Sequence, residues 1–142
     1  MIRTIDDSIS VSPQLSPADM PALAAAGFGL VINNRPDDEE GGQPGDAEMR
    51  RAAEAAGLAY LSIPTVMGGM TRAQVDEMAA ALQSTDRPVL AFCRSGTRSC
   101  NLWALAEASR GGDPEELTAK AATAGYDISG IRPVLDTLSR PK

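Results

Sequence analysis

Apolar residues along the chain follow two alternating patterns: short runs that suit buried strands, and longer segments with the three-and-four spacing of a helix face. Ser8 to Ser12 (Ser-Ile-Ser-Val-Ser) alternates polar and apolar positions and predicts a half-exposed edge strand. Ser16-Pro17-Ala18-Asp19 supplies an N-cap serine, a proline at the first helical position and an acid in the first turn. A first helix is expected there, with Met20, Leu23 and Ala24 inward and Gly27 as its stop. Gly29 to Asn33 reads as a buried strand that delivers Arg35 at its exit, within a polar, turn-rich loop from Asn34 to Gly42. Asp46 is placed to cap a second helix through Ala56, with Met49, Ala52, Ala53 and Ala56 packed and Gly57 ending it.

Leu58 to Ile63 repeats the strand pattern, and the loop Pro64 to Met70 follows. Thr71-Arg72-Ala73-Gln74 matches a capping box opening a helix with Val75, Met78, Ala79 and Leu82 inward. Val89 to Phe92 is long enough for another buried strand, and Leu102, Trp103, Leu105 and Ala106 mark a helix after Ser99. Asp113-Pro114-Glu115-Glu116 starts a further helix ending near Gly125, and a short last helix is expected over Ile131 to Leu138 with Pro133 in its first turn. Repeated alternation of strand and helix predicts an α/β three-layer sandwich, a central mostly parallel four- to five-stranded sheet flanked by helices. Ligands of such sheets bind beyond the carboxyl ends of the strands. That rule gathers Asn33 to Arg35, Pro64 to Gly69 and Cys93 to Arg98 on one rim.

Composition narrows the chemistry. A length of 142 residues with 43% hydrophobic content is expected to form one domain over 1–142. A net charge of −6 argues against a nucleic-acid or membrane-surface binder, which needs a basic face. No run approaches the length of a membrane span, and Met1 to Asp7 lacks the apolar core of a secretion signal, so the expected compartment is the cytoplasm. Two cysteines close in sequence make no disulfide framework and are reactive or simply buried in a reducing compartment. The absence of histidine removes Cys–His catalysis and His-ligated metals, and neither a metal nor a cofactor is expected.

The densest candidate chemistry lies in Pro88 to Cys100, where an apolar run stops at a cysteine and a glycine-containing turn leads into a helix. Amides of Arg94 to Arg98 have no strand or helix partner there and can converge on an anion at a helix N-terminus. Convergent amides, a helix N-terminus and a guanidinium all favour a thiolate, so Cys93 is expected as the nucleophile rather than a structural thiol. Arg98 would clamp an anion beside it, Gly96 would allow a tight or left-handed turn, and Ser95, Thr97 and Ser99 could offer hydroxyls to the sulfur. Arg94 is expected to point outward, toward substrate or solvent. Cys100, one step into the helix, reads as core packing before a resolving thiol. For Arg35, substrate binding and plain surface charge are both open.

Cysteine-dependent phosphatases resemble this chain in strand–loop–helix order, but their signature separates cysteine and arginine by five residues, commonly with histidine before the cysteine. Here the separation is four, and Phe92 stands in the histidine's place. The ring Cys-Arg-Ser-Gly-Thr-Arg (93–98) resembles the six-residue loop of single-domain rhodanese sulfurtransferases. A phosphatase also wants a general acid, and the loop Pro64 to Met70 contains none; Asp37, Asp38 and Asp76 read as solvated surface. The expected function is therefore sulfur transfer through a Cys93 persulfide, from a small donor such as thiosulfate or glutathione persulfide to a thiol acceptor. The alternatives are a phosphatase acting on phosphotyrosine-like esters and a non-catalytic anion-binding module.

The whole chain resembles the bacterial beta-lactamase-hydrolase-like, phosphatase-like domain proteins, also described as sulfurtransferases. The resemblance runs from Ile9 to about Leu135, through Ser-Pro-Gln (12–14), Val-Ile-Asn-Asn-Arg-Pro-Asp (31–37), Cys-Arg-Ser-Gly-Thr-Arg-Ser (93–99), Leu-Trp-Ala-Leu-Ala (102–106) and Ala-Gly-Tyr-Asp (124–127). It implies a phosphatase-like α/β fold and a setting of sulfide and persulfide oxidation. Similar domains occur fused to persulfide dioxygenases, which makes such an enzyme an implied partner.

Overall fold

The computed structural model describes residues 1–140. Five strands form one sheet in the order β1-β2-β5-β3-β4: β1 Arg3–Asp6, β2 Ile9–Ser12, β3 Leu30–Asn33, β4 Ala59–Ser62 and β5 Val89–Phe92. Only β1 runs antiparallel, against β2; the other pairings are parallel. Helices α1 Met20–Ala25 and α2 Asp46–Ala55 cover one face, while α3 Arg72–Gln83, α4 Thr97–Ser109, α5 Pro114–Thr123 and α6 Arg132–Ser139 cover the other. This is the three-layer α/β sandwich that the alternating patterns predict.

Alternation within the strands explains both layers. Val11, Leu30, Ile32, Val89 and Ala91 face α3 to α6, whereas Val31, Tyr60, Leu90 and Phe92 face α1 and α2. With both faces covered, β2, β3 and β5 are buried at every position. Helix α4 lies deepest, buried from Arg98 through Ala106, which is why its sequence is apolar nearly all round. Among the described residues no helix is long and apolar enough to cross a membrane.

Several expectations change. Segment 8–12 is not a half-exposed edge strand, because the unanticipated β1 pairs outside it (Arg3 with Val11, Thr4 with Ser10) and leaves Ile9–Ser12 buried at every position, with Ser8 exposed just before the strand. Strand β1 escapes pattern reading because Ile5 is its only buried residue. The first helix opens as a 3₁₀ turn, Pro17–Asp19, in which the Ser16 amide donates to the Asp19 carboxylate at 2.7 Å. Gly45, not Asp46, caps α2; the Asp46 carboxylate instead accepts from the Tyr60 hydroxyl at 2.6 Å. The last helix, α6, stands where expected, with Pro133 in its first turn, and is preceded by an unanticipated 3₁₀ turn, Ser129–Ile131.

Trp103 is the largest fully buried side chain and stands at the centre of the four-helix layer. Trp103→Ala should lower unfolding free energy by about 3–5 kcal/mol, read as a drop in the urea midpoint.

Candidate active site

Three parallel strands end level: Ser12 of β2, Phe92 of β5 and Asn33 of β3 are in register. Cys93 is the first residue beyond this line. Its amide donates to the Ser12 carbonyl at 3.3 Å, and the Asn34 amide donates to the Phe92 carbonyl at 2.9 Å, so both neighbours fix where β5 stops. The chain then reverses at Gly96, whose φ of 91° lies in the left-handed region, and α4 begins at the next residue. The reversal turns the Gly96 amide back onto Cys93, where it donates to Sγ at 3.1 Å. The amides of Arg98 and Ser99 fall in the first turn of α4, where a helix offers no intrahelical acceptor. Arg98 and Ser99 therefore belong to the helix rather than to a loop preceding it.

The roof over Gly96 is Tyr126, from the segment just beyond α5. Its hydroxyl donates to the Ser95 carbonyl at 3.2 Å, and a Cβ added at Gly96 would run into that hydroxyl. Tyr126 lies in the Ala-Gly-Tyr-Asp stretch, to which spacing alone assigned no role.

The hydroxyls expected at the sulfur are turned elsewhere. Ser95 Oγ and Thr97 Oγ1 bond each other at 3.0 Å, and Ser99 Oγ donates to Asn34 Oδ1 at 2.8 Å. Ser99 and Asn34, both fully buried, thus tie α4 to the end of β3. Cys100 packs in the core, and burial, with the neighbouring Cys93 as a lesser cause, pushes its thiol up to about 12. Such a group stays protonated and inert, in keeping with the packing role.

Arginines dominate the rim. The Nη1 of Arg98 donates to the Thr65 carbonyl at 2.9 Å and to Glu39 Oε2 at 2.7 Å, and its Nη2 donates to Glu39 Oε1 at 2.8 Å. Arg35 is no surface charge: at 2% exposure, its Nε donates to Glu39 Oε1 at 2.8 Å and its Nη1 to Gln14 Oε1 at 3.0 Å. Arg94 is largely exposed, as expected, and leans back to Glu40 at 3.3 Å. Hydrogen bonds from Arg98 are the largest influence on Glu39; burial opposes them, Arg35 adds to them, and the carboxyl is held at about 2. The same pair raises the Arg98 pKa against the opposing effect of burial, and the neighbouring Cys93 adds in the same upward direction.

Pattern reading missed Glu39, Glu40, Gln14 and Thr65. The loop Pro64 to Met70 indeed carries no acid, but the β3–α2 loop brings two to the same rim. Among the described residues no group of three or more metal-ligating side chains is arranged to hold an ion.

Residues 1–110 match the family described as beta-lactamase hydrolase-like protein, phosphatase-like domain. The chain belongs to this family. A beta-lactamase hydrolase-like protein of Agrobacterium fabrum is 39% identical over 107 residues, 75% of this chain but 25% of that protein, so the chain spans about a quarter of that relative's length. A candidate phosphatase of Neisseria meningitidis superposes with a TM-score of 0.83 at 33% identity, covering 96% of this chain and 97% of that one. P. aeruginosa TpbA, solved in complex with pTyr, shares the fold at 18% identity with a TM-score of 0.67, covering 97% of this chain and 87% of that one.

The family description and the Neisseria structure overturn the expectation of sulfur transfer, since both carry phosphatase descriptions and neither points to a sulfurtransferase. The physical reason is that ring length was a poor criterion. Helix α4 starts inside the ring, at Thr97, so first-turn amides extend the set of donors beyond the residues between Cys93 and Arg98.

Two tests follow from this geometry. Gly96→Ala meets both a left-handed backbone and Tyr126; it should cost on the order of 1–3 kcal/mol in chemical denaturation. Part of that loss should return in a Tyr126→Phe background, which removes the obstructing hydroxyl. Glu39 is held below its ordinary value of 4.5, so its pairing stabilises the fold above about pH 4.5 and the benefit fades as pH falls toward 2. Wild-type Tm should exceed that of Glu39→Gln near neutrality, with the gap narrowing below about pH 4.5.

Proposed function

We propose that this protein is a cysteine-dependent phosphatase acting on aryl phosphomonoesters of the phosphotyrosine kind through a Cys93 phosphoenzyme. The observation that carries the reading is the hydrogen bond from the Gly96 amide to Cys93 Sγ at the start of α4, with Arg98 in the first helical turn beside it. A nucleophile so placed has helix N-terminal amides and a guanidinium around the point where phosphoryl charge must be held. The family match and the Neisseria relative support phosphorus as the reacting centre.

The chemistry follows from those positions. The Cys93 thiolate attacks phosphorus, an S–P bond forms, and the P–O ester bond breaks with its electron pair on the leaving oxygen. A phenolic oxygen, with a pKa of about 10, leaves with less help from an acid than an alkyl oxygen does, so aryl esters suit a rim whose acids are engaged with arginines. Water then attacks phosphorus, the S–P electron pair returns to Sγ, and inorganic phosphate departs. First-turn amides and Arg98 stabilise the equatorial oxygens in both steps.

A non-catalytic anion-binding module is the second reading, favoured by the complete burial of Cys93. Turnover of p-nitrophenyl phosphate separates the two. Wild type should release p-nitrophenol, and acid-quenched protein should gain one phosphoryl mass on Cys93. Cys93→Ser should abolish both, and Arg98→Lys should lower kcat/KM by about a hundredfold or more. No turnover and no adduct in the wild type would leave the binding module.

A further inference from the structure

Arg35, Arg94 and Arg98 stand on one rim, and among the described residues every ion pair they make goes to Glu39 or Glu40. The pairing is not one acid steadying one arginine. Glu39 Oε1 lies 2.8 Å from both Arg98 Nη2 and Arg35 Nε, while Oε2 lies 2.7 Å from Arg98 Nη1. Two guanidinium forks thus converge on one carboxylate, in the manner they would converge on the oxygens of a tetrahedral anion, since such forks match carboxylate and phosphate alike.

Cys93 has 0% exposure and the Arg35 side chain only 2%, while the Glu39 and Glu40 side chains are 25% and 53% exposed. The carboxylates are thus the solvent-facing members of the ion pairs with Arg35 and Arg98. The loop holding them carries local costs: Asp38 has a φ of 61°, and Gln43 Oε1 is buried without a hydrogen-bond partner. The arginine pairs offset those costs, together with the hydrogen bonds from Gln43 Nε2 to the Pro36 carbonyl and from the Asp46 amide to Asp37.

The geometry points to Glu39 as a specificity-determining residue, an intramolecular anion that competes with the phosphoryl group for Arg98 and Arg35 and must lift away, with the β3–α2 loop, before substrate reaches Cys93. The inference rests on the phosphatase reading in taking a phosphoryl group as the displacing anion. A tethered carboxylate acts at an effective concentration of roughly millimolar or more. Monoanions such as acetate or chloride meet it as equals and lose; a phosphate dianion, with more charge and additional amide donors at α4, displaces it.

Inorganic phosphate is the probe, used with the full chain. By calorimetry Glu39→Gln should bind phosphate about tenfold more tightly than wild type, because the competing charge is gone. Cys93 of that variant should also be carboxamidomethylated faster by iodoacetamide, with the buried Cys100 as internal reference. In wild-type protein, saturating phosphate should speed amide hydrogen exchange across residues 37–44, a measurement that needs no variant to fold. Equal or weaker phosphate binding by Glu39→Gln, unchanged alkylation of Cys93, or slowed or unchanged exchange across 37–44 would each overturn the inference and leave Glu39 as a fixed support for Arg98. None of these readouts requires turnover. Failure of the p-nitrophenyl phosphate assay would defeat the phosphatase reading while these results still decided the role of Glu39.

Discussion

The site depends on the register of three parallel strands. Ser12, Phe92 and Asn33 end side by side, and the hydrogen bonds that close this line, Cys93 to Ser12 and Asn34 to Phe92, set the depth at which the nucleophile stands. A slip of one residue in β5 would turn Cys93 toward the opposite face, because side chains alternate along a strand. The register is secured by apolar residues on both faces of β5, so packing on either side of the sheet, far from the rim, positions the sulfur. Ser99 and Asn34 then lock α4 to the same line from the helix side.

On that platform the rim solves a charge problem. Arg35 and Arg98 are nearly buried, and an unpaired buried guanidinium is costly to hold in a folded chain. Glu39 pairs with both, and Thr65, Gln14 and Glu40 each accept a further hydrogen. Acidic residues can therefore hold a basic anion site together as well as occupy it, and a chain of net charge −6 can build a locally positive cradle. The overall sign of a protein says little about a pocket made by three arginines.

Much of this was legible in the sequence. The strand Val89 to Phe92, the turn at Gly96 and the caps of α3 and α5 are local chemistry, each visible within a few residues. The bond from Arg98 to Glu39 spans 59 positions, and nothing periodic connects them; on a sequence page Glu39 sits in an acidic turn that reads as solvated surface. Arg35 was undecided for the same reason, since burial of a strand-exit arginine depends on which loop folds over it. Strand β1 carries a single inward residue and forms only because β2 offers an open edge. The reaction class was misjudged because ring length was read as a property of the loop alone, whereas the start of α4 determines which amides face the anion.

Tyr126 leaves one further consequence. The residues that match the family end at 110, yet the hydroxyl roofing Gly96 comes from beyond them, as do Leu117, Ala121, Ile128 and Leu135 on the face that α4 presents. A fragment cut at that boundary would keep every residue of the cradle and lose its ceiling, exposing a helix that is apolar nearly all round. Anyone dissecting this module for fusion or expression should place the cut after α6, since the cooperative unit extends past the stretch by which kinship is recognised.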